Sequence, residues 1–457
     1  MADSAAFFDL DRTLLLGASG PDISAALRRH GVLPDRPIPG ERALFGLFDV
    51  IGETLPSIAL TRQGVRAAAG WSVEAVAAAA EDVADVLADK VEPFAREALA
   101  EHRHAGRKLV LATTTPYDLV APFAERLGFD DVLATRYRSV DGRYDGTIDG
   151  EFVWSRGKAR SVVAWANANL IELADSYAYS DSFFDVPMLS RVGYPVAVNP
   201  DPRLLLYATA REWPRVWFNA PPGVPKPIGI EPQDVAALAA RPELFPWVRI
   251  EVDGLDRLPA EGPVLLAANH RSYLDPMIVA YATAQAGRRV RFLAKKEVTD
   301  AAVIGPLVSA FGAIRVDRGS GSGAPMVEAA RALRGGELVT VFPQGTIPRG
   351  HDFFDPTLRG RHGAVRLATE TGVALTPVGI WGTERAWPRS SRLPYVLNLA
   401  DPPTVTIRFG APYRPPVDDI DAATSELMAR IVDLLPAEAR MPYTPTDAEL
   451  ARTFPPS

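Results

Sequence analysis

Cysteine is absent from the chain. That absence excludes a disulfide framework, a thiolate metal site and a cysteine nucleophile, and it fits a reducing, cytoplasmic compartment. Long apolar runs are also missing. The longest weakly polar stretch, residues 301–314, is interrupted by Gly305 and Pro306. It falls short of the roughly 20 apolar residues that a spanning helix needs, so no segment is expected to cross a membrane. The first residues, MADSAAFFDLDRTLL, carry no basic stretch followed by a long apolar one, so no signal peptide is expected. Positive charge is in deficit, with a net charge of −7. With no recognised nucleic-acid motif either, a nucleic-acid partner is not expected.

What is present is ordinary soluble-protein composition: 47% hydrophobic and 23% charged residues over 457 positions. That length implies two or three domains. The charge is uneven. Residues 245–415 hold 21 Lys and Arg against 15 Asp and Glu, so the remainder of the chain carries the acidic excess. Arg288, Arg289, Arg291, Lys295 and Lys296 fall within nine residues. Such a run is either a solvated face or a site of attraction to phosphate head groups and an anionic bilayer. The expected location is cytoplasmic, with peripheral attachment to the inner face of the cell membrane. The oligomeric state is left open, a homo-oligomer included.

Strand-like apolar runs at 5–10, 109–113, 177–180 and 196–198 alternate with helical patterns, one of them Ala-rich from about 72 to 104. Alternation of this kind implies a parallel sheet with helices on both faces. The segment between the first two strands is far longer than a crossover needs, and is expected to form a helical cap over about 15–105. The first domain is placed at 1–210. A proline-rich linker follows at 211–244, with Pro214, Pro221, Pro222, Pro225, Pro227 and Pro232, and with Trp213, Trp217 and Phe218 beside them. Strand-like runs resume at 248–252, 264–268, 290–294, 314–316, 339–342, 375–380 and 405–409, which defines a second α/β domain over 245–440. Residues 441–457 form a tail.

Two constellations carry chemistry. In the first, Asp9 and Asp11 end an apolar strand in FFDLDRT, and residues two apart on a strand point the same way. YSDSFFD places Asp181 and Asp185 after another strand, and Thr113 ends a third. Carboxylates at the C-terminal edge of a parallel sheet stand where such folds bind ligands. Four of them converging need a cation, and a hard ion such as Mg²⁺ suits an all-oxygen site. Lys158, in RGKAR, can neutralise a phosphate. Together the set describes phosphoryl transfer with a carboxylate nucleophile. In this order it resembles the haloacid dehalogenase-like phosphatases with a helical cap after the first motif, as in phosphoserine phosphatases, over roughly residues 4–200. The resemblance implies Asp9 as nucleophile and Asp11 as acid/base, with Thr113 and Lys158 on the phosphoryl group. It also implies an Mg²⁺ site at Asp9, Asp11 and Asp181, with Asp185 in support. Arg12 and Ser180 stand where many members have glycine. A domain retained without catalysis stays open as an alternative.

The second constellation is His270 and Asp275, in LLAANHRSYLDP. The spacing alone means little, since His30 and Asp35 share it without supporting context. His270 differs because it comes directly off a buried-looking strand, and Asp275 precedes Pro276 at a plausible helix start. A carboxylate returned to one ring nitrogen leaves the other free to take a proton. No G-x-S-x-G elbow supplies a serine nucleophile, which suits a reaction in which the substrate hydroxyl attacks. Downstream, FGAIRVDR brings Arg318 to a strand end, and VTVFPQGTIPRG places Gly345 and Thr346 in a tight turn with Arg349 near. Backbone amides and arginines there can hold a phosphate. In this order the segments resemble the glycerol-phosphate and lysophosphatidate acyltransferase family, over roughly 245–415. The resemblance implies an α/β fold and acyl transfer from acyl-CoA or an acyl carrier protein to a glycerol hydroxyl. His270 would be the base, Asp275 its orienting partner, and Arg318, Gly345 and Thr346 the acceptor-phosphate site. The family has glutamate at Gln344 and arginine at Ile347; Arg349 or Lys295 would have to replace that arginine. A non-glycerol acceptor, such as a sugar head group, therefore stays open.

Overall fold

The computed structural model describes residues 3–34, 62–221, 224, 226, 230–238, 240–295, 308, 312–316, 324–416 and 418–456. The chain divides into two compact units, Met1–Pro222 and Gly223–Ser457.

The first unit is built on six strands: β1 (Ala5–Phe8), β2 (Lys108–Thr113), β3 (Asp131–Ala134), β6 (Tyr177–Ser180), β7 (Tyr194–Val198) and β8 (Arg215–Val216). A separate antiparallel pair comprises β4 (Arg136–Val140) and β5 (Arg143–Asp149). The sheet order is β3-β2-β1-β6-β7-β8 with every pairing parallel. All four residues of β1 are buried, as the middle of a sheet covered on both faces requires. The chain leaves β1 towards β2 and later returns to β1's other side as β6. The C-terminal ends of β1, β2 and β6 thus meet at a topological switch point.

Part of the segment between β1 and β2 forms an insertion of its own. Its ends are stitched together where Leu15 bridges Val91 and Glu92 N–H donates to the Leu14 carbonyl at 2.8 Å. The Ala-rich stretch is two helices rather than one. Val73–Asp89 is capped by Ser72, and a second helix begins at Pro93, where the missing N–H costs nothing, and runs to His104. This second helix packs on β2, outside the insertion. The pair β4–β5 escapes the sequence reading, although Asp141 and Gly142, both at positive φ (50° and 76°), mark the tight turn that joins it.

The second unit holds a seven-stranded sheet in the order β12-β11-β13-β10-β14-β15-β9. Its strands are β9 (Arg249–Asp253), β10 (Val264–Ala268), β11 (Val290–Lys295), β12 (Ala313–Val316), β13 (Leu338–Val341), β14 (Leu375–Trp381) and β15 (Thr404–Phe409). Only the β14–β15 pairing is antiparallel. Each face of the sheet has its own apolar core. One gathers Leu266, Ala268, Ile278 and Val279 under the helix Asp275–Gln285. The other gathers Leu265, Val339, Leu367 and Leu427 under the helices Ala324–Arg334, Gly363–Thr371 and Ile420–Asp433.

The boundary between the two units falls within the proline-rich stretch, whose described residues carry structure on either side of it. Val216 and Arg215 extend the first sheet as β8. In the second unit, residues 231–238 are pinned by a buried ion network. Arg291 reaches Glu231 at 2.7 Å and Glu337 at 3.1 Å, and Arg289 reaches Asp234 at 2.7 Å. Arg288 donates to the carbonyls of Pro259 and Gly262 at 2.5 and 2.6 Å. Three of the five clustered cations at 288–296 are therefore spent inside the fold. Lys296 and the Lys295 side chain lie outside the described residues.

Candidate active sites

In the first unit the switch point gathers the expected residues. Lys158 is fully buried. It is delivered by the helix Arg156–Ala168, whose start must come close to the preceding chain: a Cβ on Gly157 would lie 2.2 Å from the Phe152 carbonyl oxygen. The Lys158 ammonium bridges Asp9 Oδ1 at 2.8 Å and Asp185 Oδ2 at 2.6 Å. Ser180 Oγ donates to the same Asp185 oxygen at 2.8 Å, so the serine in the usual glycine position helps to hold the lysine's anchor. Arg12 adopts φ 57° and places its Nε 3.0 Å from Asp181 Oδ2. Thr13 lies between two carboxylates, 3.3 Å from Asp9 Oδ2 and 3.4 Å from Asp181 Oδ1, while its oxygen accepts the Asp181 N–H at 3.0 Å. Asp11 accepts the Ser19 N–H at 2.5 Å. Thr113 ends β2, buried, its hydroxyl oxygen accepting the Thr115 N–H at 3.2 Å.

These are not four carboxylates converging on one point. Among the described residues no group of three acidic or histidine side chains is placed to hold a metal. Asp185 is turned to Lys158, and Asp11 to the Ser19 turn. The charges are nonetheless unbalanced, with Asp9, Asp11, Asp181 and Asp185 set against Lys158 and Arg12. Asp185 Oδ1 is buried without a hydrogen-bond partner. Burial, opposed by Lys158 and reinforced by the charges of Asp185 and Asp11, pushes the Asp9 carboxyl up to about 7. Burial also raises Asp11 above the ordinary carboxylate value. An excess of buried oxygen anions that would otherwise take up protons is the donor chemistry a divalent hard cation satisfies.

In the second unit the C-terminal ends of the adjacent strands β13, β10 and β14 supply the other site. His270 leaves β10 and is held from three sides. Its N–H donates to Gln344 Oε1 at 2.7 Å, its ring stacks on Phe342 with centroids 4.3 Å apart, and its Nδ1 lies 2.7 Å from Asp275 Oδ2. Asp275 is fully buried and saturated. Its Oδ2 also accepts the Arg271 N–H at 2.6 Å and the Ser272 N–H at 2.8 Å, and its Oδ1 accepts the Thr383 hydroxyl at 2.6 Å. An oxygen receiving two backbone donors is an acceptor, so Nδ1 carries the hydrogen and Nε2 presents its lone pair. Asn269 locks β10 to β14 through reciprocal bonds with the Ile380 backbone at 2.7 and 2.8 Å.

Gly345 sits at φ 72° in the turn that closes with its N–H on the Phe342 carbonyl at 2.8 Å, against the side chain of Arg361. Thr346 and Arg349 are exposed beside it. Arg318 lies outside the described residues, as does Asp35 of the chance His30 pair. The sequence reading assigned no role to Thr383, 108 positions from Asp275, or to Arg271, whose guanidinium lies between Phe353 and Trp381 and 3.1 Å from Glu384. Neither carries a local sequence signal.

With this geometry established, the comparisons with known proteins are consistent across both halves. The haloacid dehalogenase-like hydrolase family model matches residues 6–190, and the acyltransferase family model matches residues 249–381. Phosphoserine phosphatase SerB1 of Mycobacterium tuberculosis is 38% identical over 213 residues, 46% of this chain and 69% of its own length. The inhibition of morphological differentiation protein of Streptomyces azureus is 35% identical over 228 residues, 48% of this chain and 79% of its own. Among solved structures, the 1-acyl-sn-glycerophosphate acyltransferase PlsC of Thermotoga maritima is similar at 21% identity and a TM-score of 0.32, over 45% of this chain and 82% of its own. The chain belongs to the haloacid dehalogenase-like hydrolases through its first unit. It is a fusion of that domain with an acyltransferase domain.

Proposed function

We propose that the second unit transfers an acyl group from acyl-CoA or an acyl carrier protein to lysophosphatidate, giving phosphatidate. The observation that carries this reading is the saturated Asp275 beneath His270, which leaves Nε2 as the base. His270 Nε2 takes the acceptor hydroxyl's proton as that oxygen attacks the thioester carbonyl. The C–S bond breaks, and the proton passes to the departing thiolate. Gly345, Thr346 and Arg349 would hold the acceptor phosphate; Arg318 and the Lys295 side chain, the other cations assigned to it from the sequence, lie outside the described residues. Acyl transfer by purified protein, lost on His270→Ala, tests the reading; equal transfer by the variant refutes it.

The first unit would hydrolyse a phosphate monoester. Asp9, held by Lys158 and Thr13, attacks phosphorus as the ester P–O bond breaks and Asp11 protonates the leaving oxygen; water that gives its proton back to Asp11 then hydrolyses the aspartyl phosphate, releasing phosphate and restoring Asp9. Mg²⁺ would be held chiefly by Asp9 and Asp181, with Asp11 and Asp185 nearby, and when bound would neutralise the phosphoryl oxygens. Lys158 holds Asp9 in place, and Thr113 stands at the end of β2 where the phosphoryl group would lie. Acting in series, the two units would convert lysophosphatidate to diacylglycerol. A small-metabolite substrate is the second reading, favoured by the relative named as a phosphoserine phosphatase.

Among the described residues no helix is long and apolar enough to cross a membrane. Peripheral binding to an anionic cytoplasmic membrane surface is the partner reading. It is supported by a short run in which Leu393, Tyr395, Val396, Leu397 and Leu399 are all exposed. The N–H groups of Tyr395, Val396, Asn398 and Leu399 already have backbone acceptors, so the run can enter an apolar layer without stranding them.

A further inference from the structure

The arginine that the acyltransferase resemblance expects at position 347 is isoleucine here, and Ile347 is only 2% exposed, an apolar side chain with no donor for an anion. Its carbonyl, however, accepts a hydrogen bond from Arg389. Arg389 follows β14 and the short helix Thr383–Ala386, and is itself 7% exposed. Two segments that hold His270 brace it. Trp387, two residues before it, accepts the Ser272 hydroxyl at 2.5 Å and sets its ring 5.9 Å from Tyr273. Ile347 lies three residues after Gln344, the acceptor of the His270 N–H.

Buried arginines elsewhere in this unit are neutralised. Arg291 has Glu231 and Glu337, and Arg271 has Glu384. Arg389 has no such carboxylate among the described ion pairs. Its Nε is buried without a hydrogen-bond partner. It hydrogen-bonds Tyr273, but its cationic neighbour is Arg349, and burial together with that like charge outweighs the Tyr273 bond and lowers the Arg389 pKa from the usual arginine value. A buried guanidinium facing a second one is costly unless an anion joins them, and a phosphate with several acceptor oxygens suits a forked donor.

We propose that Arg389, together with Arg349, forms the anion-binding subsite for the acceptor's phosphate monoester, a role that buried Ile347 does not fill. Arg389 is thereby a specificity-determining residue for phosphorylated over unphosphorylated acceptors. The proposal rests on the acyltransferase reading, but its test is a binding measurement and does not need turnover.

Binding of lysophosphatidate and of monoacylglycerol with the same acyl chain is compared by calorimetry on the full chain. sn-Glycerol 3-phosphate and inorganic phosphate are added as competitors. The wild type binds the phosphorylated lipid about 10- to 100-fold more tightly, the range of one or two charge-assisted hydrogen bonds. Arg389→Gln and Arg349→Gln each remove most of that preference with much less effect on monoacylglycerol, while Arg389→Lys keeps part of it. Competition by glycerol 3-phosphate identifies a general phosphate-ester site; competition by lysolipid alone identifies a lipid head-group site; either supports the subsite. An unchanged preference in Arg389→Gln, or equal weakening of both lipids, overturns it. If Arg389→Gln does not fold, the exposed Arg349 decides through Arg349→Gln, whose unchanged preference likewise overturns the proposal. A preference that depends on Arg389 in a protein that does not acylate lysophosphatidate keeps the subsite and removes the acceptor reading.

Discussion

Replacing Asp275 separates chemistry from folding in a way that its four bonds make specific. Its Oδ2 accepts from His270 Nδ1 at 2.7 Å and from the backbone of Arg271 and Ser272 at 2.6 and 2.8 Å, and its Oδ1 accepts from Thr383 at 2.6 Å. In Asp275→Asn the amide oxygen can take the Oδ2 place, keeping three acceptances. The amide nitrogen then faces Thr383, whose hydroxyl can rotate to accept. Every bond survives and only the charge is lost. The expected outcome is a melting temperature close to wild type and a kcat at least about 100-fold lower, because the imidazolium formed at His270 loses its counter-charge. Asp275→Ala instead strands two buried backbone N–H groups at about 1–3 kcal/mol each. That lowers the melting temperature by about 5–20 °C for a unit of this size. Melting curves and single-substrate kinetics on both variants read the two effects apart. An Asn variant that melts like the Ala variant, or one that turns over at the wild-type rate, would refute the reasoning.

Three further outcomes follow from the same geometry. Lys158→Met leaves Asp9 and Asp185 buried without their cation. It should destabilise the first unit by about 3–5 kcal/mol and abolish phosphatase turnover, read by thermal melting and phosphate release. In metal-free protein, Asp9 holds a proton up to about 7 when folded but only up to the ordinary aspartate value of 3.8 when unfolded. Between those values the folded state binds the extra proton, so stability falls as pH rises through the window, by up to about 1.4 kcal/mol per pH unit. The stability difference between wild type and Asp9→Asn should therefore change from about pH 4 to pH 7; a difference independent of pH contradicts the shift. Leu393→Ser with Leu397→Ser should weaken binding to anionic vesicles in flotation, and undiminished binding would remove that run as the membrane contact.

Much of the architecture was legible because buried parallel strands announce themselves as short apolar runs: all seven runs expected in the second domain are strands of one sheet. The hairpin β4–β5 was not, because its strands are largely exposed and polar, as in RYRSV. The basic run at 288–296 was legible as charge but not as structure. Arg291 is buried by carboxylates 46 and 60 positions away, which no local pattern reveals. The same limit applies at the sites. Asp9, Lys158, His270 and Asp275 stand in recognisable motifs. Thr383 and Arg389 reach the second site only through the path of β14, and Thr13 and Ser180 acquire roles only once β1 and β6 lie side by side.

Two separable active sites in one chain can be read in a single lipid product analysis of wild type, Asp9→Asn and His270→Ala, each given lysophosphatidate, acyl-CoA and Mg²⁺. The expected pattern is diacylglycerol from the wild type, phosphatidate accumulating with Asp9→Asn, and no acylated product from His270→Ala. Identical products from wild type and Asp9→Asn would contradict the serial reading, and acylated product from His270→Ala would contradict the base assigned to the second site.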